Sequence, residues 1–495
     1  MSILPIELGS EGPVPGVLVW YLSLRSQGGR SALDAETGQV TSAEAFYGSS
    51  EDRDEAARIA DSVGLVIIAD SALGVAVAGP PGAFEELTGG EVVTRERLMH
   101  AEMGRERYVT HVDIVGDDQP ADLGVGAPKP EASAIEGVVL ERPRLPYGIF
   151  PSPVPPPVTK FHLRVPDDVA LVLGALAAHR AGDLGAGATV AMVDTGQYAH
   201  PFFLAHGYDV QPTVALVPGT NPARDPVGHG TGESANIFAT APRAILRPYR
   251  ASDSEGRLVA ALAGFLRAKA DRPAVLTNSW GGDGEFPPRR PPDAADRLFA
   301  LEITDAIEQG ITVVFSGGNG QFSIEPQVPG VLAAGGVFAG PTLDLSASTY
   351  ASGYASSWFD DVTVPTVCGL VGMVPRAQYL MLPVPPGCEI DVDESQAVVG
   401  DPPDGTTSRD GWALFSGTSA AAPQLAGVAA LLLGALPNLT PAQVVEAMTN
   451  TAVDVRAGRC HARFNQAAAP GPDLATGQGL VNASAALAIA RTNFG

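Results

Sequence analysis

Three cysteines, Cys368, Cys388 and Cys460, are all that 495 residues carry. They are too few, and odd in number, for a disulfide framework, so buried free thiols are expected, with a Cys368–Cys388 bridge left open. Charge is also scarce at 17% of residues, and 31 basic side chains face 55 acidic ones for a net charge of −24. So acidic a chain argues against polyanionic partners, neither nucleic acid nor an anionic membrane surface. The start, MSILPIELGSEGPVPG, lacks a basic segment followed by a continuous apolar one, so no secretory signal is read there. Apolar runs elsewhere are interrupted well before about 18 residues, and no membrane span is expected. Together these absences point to a cytoplasmic chain, with secretion left open.

What is present is apolar and turn-rich. The 57 glycines and 43 prolines separate long apolar segments, which reads as a globular protein with many turns rather than a disordered one. Near the start, VLVWYLSL (17–24) suits a strand and DRDEAARIADSV (52–63) a helix with an acidic first turn. LVIIAD (65–70) and LGVAVAG (73–79) follow as a tight hairpin, then a short helix over 80–90 and a strand at EVVTRE (91–96). The order β-α-β-β-α-β predicts a small α+β ferredoxin-like domain over 1–117. Residues 118–166 turn Pro-rich, with PSPVPPPV at 151–158 the stiffest part, and read as an extended linker.

From 167 to 495 helices alternate with short buried strands. A helix at 167–180 leads to ATVAMVDTG (188–196), and similar runs recur at 244–250, 274–280, 311–318 and 329–336. Apolar runs without polar alternation fit parallel strands covered on both faces, so a doubly wound, mostly parallel α/β domain is expected. Such sheets present ligands at the carboxyl ends of their strands, where Asp194 lies. Alone, Asp194 reads equally well as a turn cap.

His229 lies in GHGTGES between two glycines at an expected helix start, where a neutral imidazole could act as a general base. His200 and His206 are the nearest rivals. Ser419, in GWALFSGTSAAAPQL, would begin a helix over 419–435 with Pro423 tolerated in its first turn. A plain capping serine is the simpler reading. Yet a cap needs no small neighbours, whereas a carbonyl that must reach the Ser419 oxygen and its backbone N–H needs Gly417 and the alanines at 420–422.

The order Asp194, His229, Ser419, spaced by 35 and 190 residues within DTG, GHGT and GTSAAAP, resembles the subtilisin-like serine proteases, the subtilase family. The resemblance covers roughly 167–492 and implies a subtilisin-like fold, a Ser-His-Asp triad and an acyl-enzyme. It implies that Asn319, in SGGNG (316–320), completes the oxyanion hole, with Gly317 beside it as a substrate-binding residue. NSWGG (278–282) is similar to the strand that lines the first specificity pocket, which would place Ser279, Trp280 and Gly281 along the substrate. LTPAQVVEAMTNTAVDV (439–455) and GQGLVNASAALAIA (477–490) look like the family's closing helix, loop and final helix.

Three departures qualify the resemblance. Gly232 and Glu233 replace a second histidine that many relatives carry after GHGT, which would alter an adjoining subsite. Residues 383–410 form an acidic, turn-rich insertion whose Glu389, Asp391, Asp393 and Glu394 have no spacing that fixes a metal, so a solvated loop is expected. No cofactor is needed for the chemistry, and a structural calcium is left open with no ligand assigned. The small N-terminal domain has the element order of the family's prodomain, which would make it an inhibitor or folding helper; a permanently attached regulatory domain is the alternative.

The reading is a serine endopeptidase acting on protein or peptide substrates, an intracellular processing or regulated protease. Asp283 and Glu285 near the pocket wall would favour basic or neutral residues at the cleavage point. A catalytically silent peptide-binding domain and a serine esterase or transacylase are the alternatives.

Overall fold

A computed structural model describes residues 13–34, 42–100, 106–120, 123–141, 145–146, 161–374, 377–396 and 403–495. Its N-terminal part is an antiparallel sheet in the order Val66–Asp70, Gly74–Gly79, Leu18–Leu24, Ile135–Leu140 and Val125–Gly126. Helix Ser50–Ser62 begins with a capping box between Ser49 and Asp52, and helix Pro81–Thr88 with proline in its first turn. One face of the sheet closes over these helices, with the ring of Trp20 stacked on Phe84.

The sheet has the expected α+β character, but its fourth strand is not the expected one. Glu91–His100 leaves the sheet and pairs along its whole length with Glu106–Val115 as a two-stranded ribbon. Ile135–Leu140 takes the vacated place beside Leu18–Leu24. The physical reason is burial: this position is covered on both faces, which suits the apolar IEGVVL and not EVVTRERLMH with its four charges. The stretch read as a linker from 118 therefore supplies two strands of this sheet, while PSPVPPPV lies outside the described residues.

The larger part carries a nine-stranded sheet. Its parallel core runs in the order Asp209–Val210, Ile245–Arg250, Thr189–Asp194, Val275–Asn278, Thr312–Ser316 and Leu332–Ala339. The chain goes first to one side of Thr189–Asp194 and then to the other, so the order of winding switches at this strand. A crevice opens at such a switch point, and Asp194 ends the strand there. Leu345–Ala347 adds an antiparallel edge and Val367–Leu370 pairs in parallel with Leu332–Ala339.

Helices cover both faces. His229–Thr240 and Thr418–Ala435 cross on one side; Ala261–Ala270 and Ala294–Glu308 lie on the other, where the N-terminal sheet packs against them. Thr418–Ala435 is an 18-residue helix apolar enough to cross a membrane, against the expectation that no such run exists, but it is buried along nearly its whole length as the core helix of the fold. The expected helix at 167–180 is two helices, Asp167–Val172 and Leu176–Arg180, broken at Gly174 with φ of +68°. The closing helix is Pro441–Thr449 and the final helix Ala483–Phe494, with a loop between them as expected. Cys368, Cys388 and Cys460 are all free and buried, so the bridge left open does not form.

Candidate active site

Asp194 and His229 meet at the switch point. Nδ1 of His229 lies 2.7 Å from Oδ1 of Asp194, which also accepts the Thr195 N–H at 2.7 Å. The His229–Thr240 helix comes this close because residue 230 is glycine: a Cβ there would stand 2.3 Å from the Gly196 carbonyl oxygen. Both residues are nearly inaccessible. Burial alone would lower the basicity of His229, but the charge and hydrogen bond of Asp194, with Glu233 and Asp225 behind them, push its pKa up to about 9.

A residue not singled out in the sequence ties these pieces together. Asp225, buried four positions before His229, accepts from the Thr195 hydroxyl at 2.9 Å and the Gly228 N–H at 2.9 Å through Oδ1. Its Oδ2 accepts the Thr231 N–H at 2.9 Å and hydroxyl at 2.7 Å. Thr195 in turn accepts the Gly230 N–H at 2.9 Å. One carboxylate thus caps the histidine helix and fixes it to the aspartate loop. An acidic residue just before an expected helix start was the available signal.

Ser419 is the second residue of the Thr418–Ala435 helix, with Gly417 as the N-cap, so the capping-serine reading does not hold. Its hydroxyl donates to the Ser279 carbonyl at 3.2 Å, and the Ser279 hydroxyl donates to the Ser419 carbonyl at 2.9 Å. His229 Nε2 has no hydrogen-bond partner. The serine therefore sits at the positive end of a core helix without contacting the imidazole in this state, a looseness common before substrate arrives.

Asn319 Oδ1 accepts from the Thr418 N–H at 3.0 Å and hydroxyl at 3.1 Å. That fixes the amide's rotation and turns its NH₂ end away from Thr418. Gly317 donates to Ala334 O at 2.8 Å, and a Cβ on it would stand 2.9 Å from the same oxygen. Ser279 touches Ser419 directly, but the ring of Trp280 does not form a pocket wall. It packs on Phe299 and Phe315, with Nε1 donating to Val193 O at 2.7 Å. Trp280 and Gly281 present only backbone, which pairs antiparallel with Pro146 and Leu145.

The rival histidines are engaged elsewhere. His200 caps a short helix by accepting the Phe202 N–H, and His206 stacks on Tyr208. Near the pocket wall, Asp283 is paired with Arg463 at 2.7 Å and Glu285 with Arg289 at 2.9 Å, so neither carries the uncompensated charge on which the expected preference for basic residues relied. Part of the acidic insertion is folded and not a solvated loop. It forms helix Glu389–Ser395, whose first N–H groups donate to Pro226 O and Val227 O, and it buries Asp391 and Glu394. Among the described residues no group of three or more His, Cys, Asp or Glu side chains is arranged to hold a metal ion.

Residues 185–479 match the model of the subtilase family, more than half of the chain. A probable subtilase-type serine protease of Deinococcus radiodurans is 32% identical over 210 residues, 42% of this chain and 23% of that protein. Fervidolysin of Fervidobacterium pennivorans is 30% identical over 225 residues, 46% of this chain and 27% of that protein. The matched segments thus span about a quarter of either relative. The crystal structure of fervidolysin, a keratinolytic enzyme related to subtilisin, superposes with a TM-score of 0.53 at 18% identity, over 97% of this chain and 62% of that one, a likeness of fold. With the family model matching residues 185–479, across the crevice that holds Asp194, His229 and Ser419, the chain belongs to the subtilase family.

Proposed function

We propose that this chain is a serine endopeptidase that hydrolyses peptide bonds through an acyl-enzyme on Ser419. The observation that carries the reading is the buried 2.7 Å contact between Asp194 and His229 at a switch point that also receives the start of the Ser419 helix. Rotation of the Ser419 side chain from Ser279 O toward Nε2 lets His229 take its proton while Oγ attacks the scissile carbonyl. Asp194 keeps Nδ1 protonated and stabilises the imidazolium, which then gives the Nε2 proton to the leaving amine. The Ser419 N–H and the Asn319 side-chain amide receive the oxyanion. Water repeats the cycle on the ester.

Substrate would lie as an added strand on Trp280–Gly281, the edge now paired with residues 145 and 146 of the chain itself. That pairing supports an inhibitory role for the N-terminal part, which would have to vacate the edge before a protein or peptide substrate enters. Three free thiols support a reducing, intracellular setting and hence a processing or regulated protease.

The hydroxyl of Ser419 resting on Ser279 O favours, as a second reading, a catalytically silent peptide-binding domain. A fluorophosphonate separates the two: the expected result is labelling of the folded chain or its self-cleaved form, lost in S419A, together with cleavage of a peptide amide. If neither form labels, the protease reading fails; ester cleavage without amide cleavage would leave an esterase.

A further inference from the structure

Glu233 has no role in the chemistry described so far. It stands one helical turn after His229, on the same face, and its side chain is wholly buried. Oε1 lies 4.0 Å from Nε2 of His229, the nitrogen that must exchange a proton with Ser419. Neither Oε1 nor Nε2 has a hydrogen-bond partner of its own. The other carboxylate oxygen is held: Oε2 accepts from Asn236 Nδ2 at 2.9 Å. Asn236 Oδ1 accepts from Gln424 Nε2 at 3.4 Å, and Gln424 also donates to Leu370 O at 3.0 Å. Gln424 belongs to the helix that starts beside Ser419. A chain of side chains thus runs from the serine helix to a carboxylate aimed at the histidine.

We propose that Glu233 is a second carboxylate of the histidine, a positioning residue whose charge holds a proton on Nε2 in the resting enzyme and so sets the pH at which His229 becomes available as a base. The inference rests on the protease reading of Ser419 and His229. The imidazole is then bracketed, with Asp194 on Nδ1 and Glu233 facing Nε2.

Electrostatics follow from that bracket. Burial raises the Glu233 carboxyl to about 8, with His229 and Asn236 opposing the rise and Asp194 adding to it. Both groups are thus raised, and the carboxyl ionises beside an imidazole that still carries its proton. Asp225 adds negative charge from the loop before the helix, and the Cys388 thiol against Gly228 is kept neutral by burial, its pKa pushed up to about 12. The packed elements Thr418–Ala435 and Leu380–Pro383 contain no ionisable side chain, Thr189–Asp194 contributes Asp194, and Asp167–Val172 has only Asp167 and Asp168, the latter paired with Arg164.

The sign is direct. A negative Glu233 favours the imidazolium, so neutralising it lowers the midpoint of His229 and moves the acid limb of kcat/KM to lower pH. The shift expected of one removed charge at this distance is roughly one unit or more, about tenfold more free base at a fixed pH near the midpoint, where the Glu233 carboxyl is charged.

The test is a pH titration of the low-field proton resonance of the Nδ1–H···Asp194 hydrogen bond in full-length S419A, compared with S419A/E233Q. It reads the histidine without requiring turnover, so it is independent of whether Ser419 labels. The expected result is a midpoint lower by roughly one unit or more in the E233Q chain, matched by the acid limb of E233Q activity. An unchanged midpoint overturns the proposal, whatever happens to kcat. Should E233Q not fold, S419A/N236A removes the hydrogen bond that favours the charged carboxylate; a smaller fall supports the proposal and no fall overturns it.

Discussion

At the scale of single residues, the local signatures around Asp194, His229 and Ser419 were legible because each is a short backbone device written in neighbouring residues. Glycine at 230 lets the histidine helix touch the aspartate loop, and the small residues around 419 leave clearance. Asp225 was not legible as part of the site, because Thr195 is brought to it only by the fold, and Glu233 was read as altering a subsite rather than as facing the histidine one turn before it. Asp225 carries a clear consequence. Its carboxylate receives two N–H groups and two hydroxyls in the interior. D225A would strand these donors and uncap the histidine helix. Hydrogen bonds to a buried charge contribute about 1.5–3 kcal/mol each, partly replaced by relaxation, so a loss on the order of 3 kcal/mol is expected. Urea denaturation of D225A in an S419A background measures it without self-digestion; a loss below about 0.5 kcal/mol would show that the loop is held by something else.

At the scale of elements, the central parallel strands were readable as largely apolar runs, each falling within a few residues of the structure. Strand choice in the N-terminal sheet was not, because Glu91–His100 and Ile135–Leu140 compete for one position and only long-range burial decides. The crossing of the two site helices was equally hidden. Gly427 on the serine helix meets the histidine helix so closely that a Cβ would stand 2.2 Å from the Thr240 hydroxyl and 2.5 Å from the Ile237 carbonyl oxygen. The hydroxyl can rotate away, but the carbonyl is backbone and cannot. G427A therefore forces the helices apart, at a cost of about 1–3 kcal/mol typical of overpacking. Because one helix bears His229 and the other Ser419, kcat should fall more than the stability loss would suggest, with KM little changed. A variant of lowered stability and full kcat would mean that the helices part elsewhere and leave the site intact.

At the scale of the whole molecule, the N-terminal sheet is held to the larger part by a buried ionic knot of the larger part that receives hydroxyl donors from the N-terminal part. Lys269 pairs with Glu302 and, at 2.8 Å, with Asp305. From the other side Tyr21 and Ser71 donate to Glu302 Oε1 at 2.5 and 2.7 Å, and Tyr47 donates to Asp305. The same N-terminal part ends in the pairing of residues 145 and 146 with Trp280–Gly281, the edge proposed for substrate. Loosening the knot should therefore raise activity at a distance. Y21F/S71A removes two hydrogen bonds to one carboxylate, each contributing about 1.5–3 kcal/mol, while Lys269 keeps Glu302 compensated. Opening of the N-terminal part should become at least about 10²-fold more populated, since 1.4 kcal/mol is a factor of ten. Amide exchange in Leu18–Leu24, Gly74–Gly79 and Ala294–Glu308 should accelerate accordingly in an S419A background. In the active chain the initial rate on a peptide substrate should rise by tenfold or more, because strand 280–281 is vacated more often. Faster exchange with an unchanged rate would separate the docking of the sheet from the blocking of the edge, and would place inhibition in residues 145 and 146 alone.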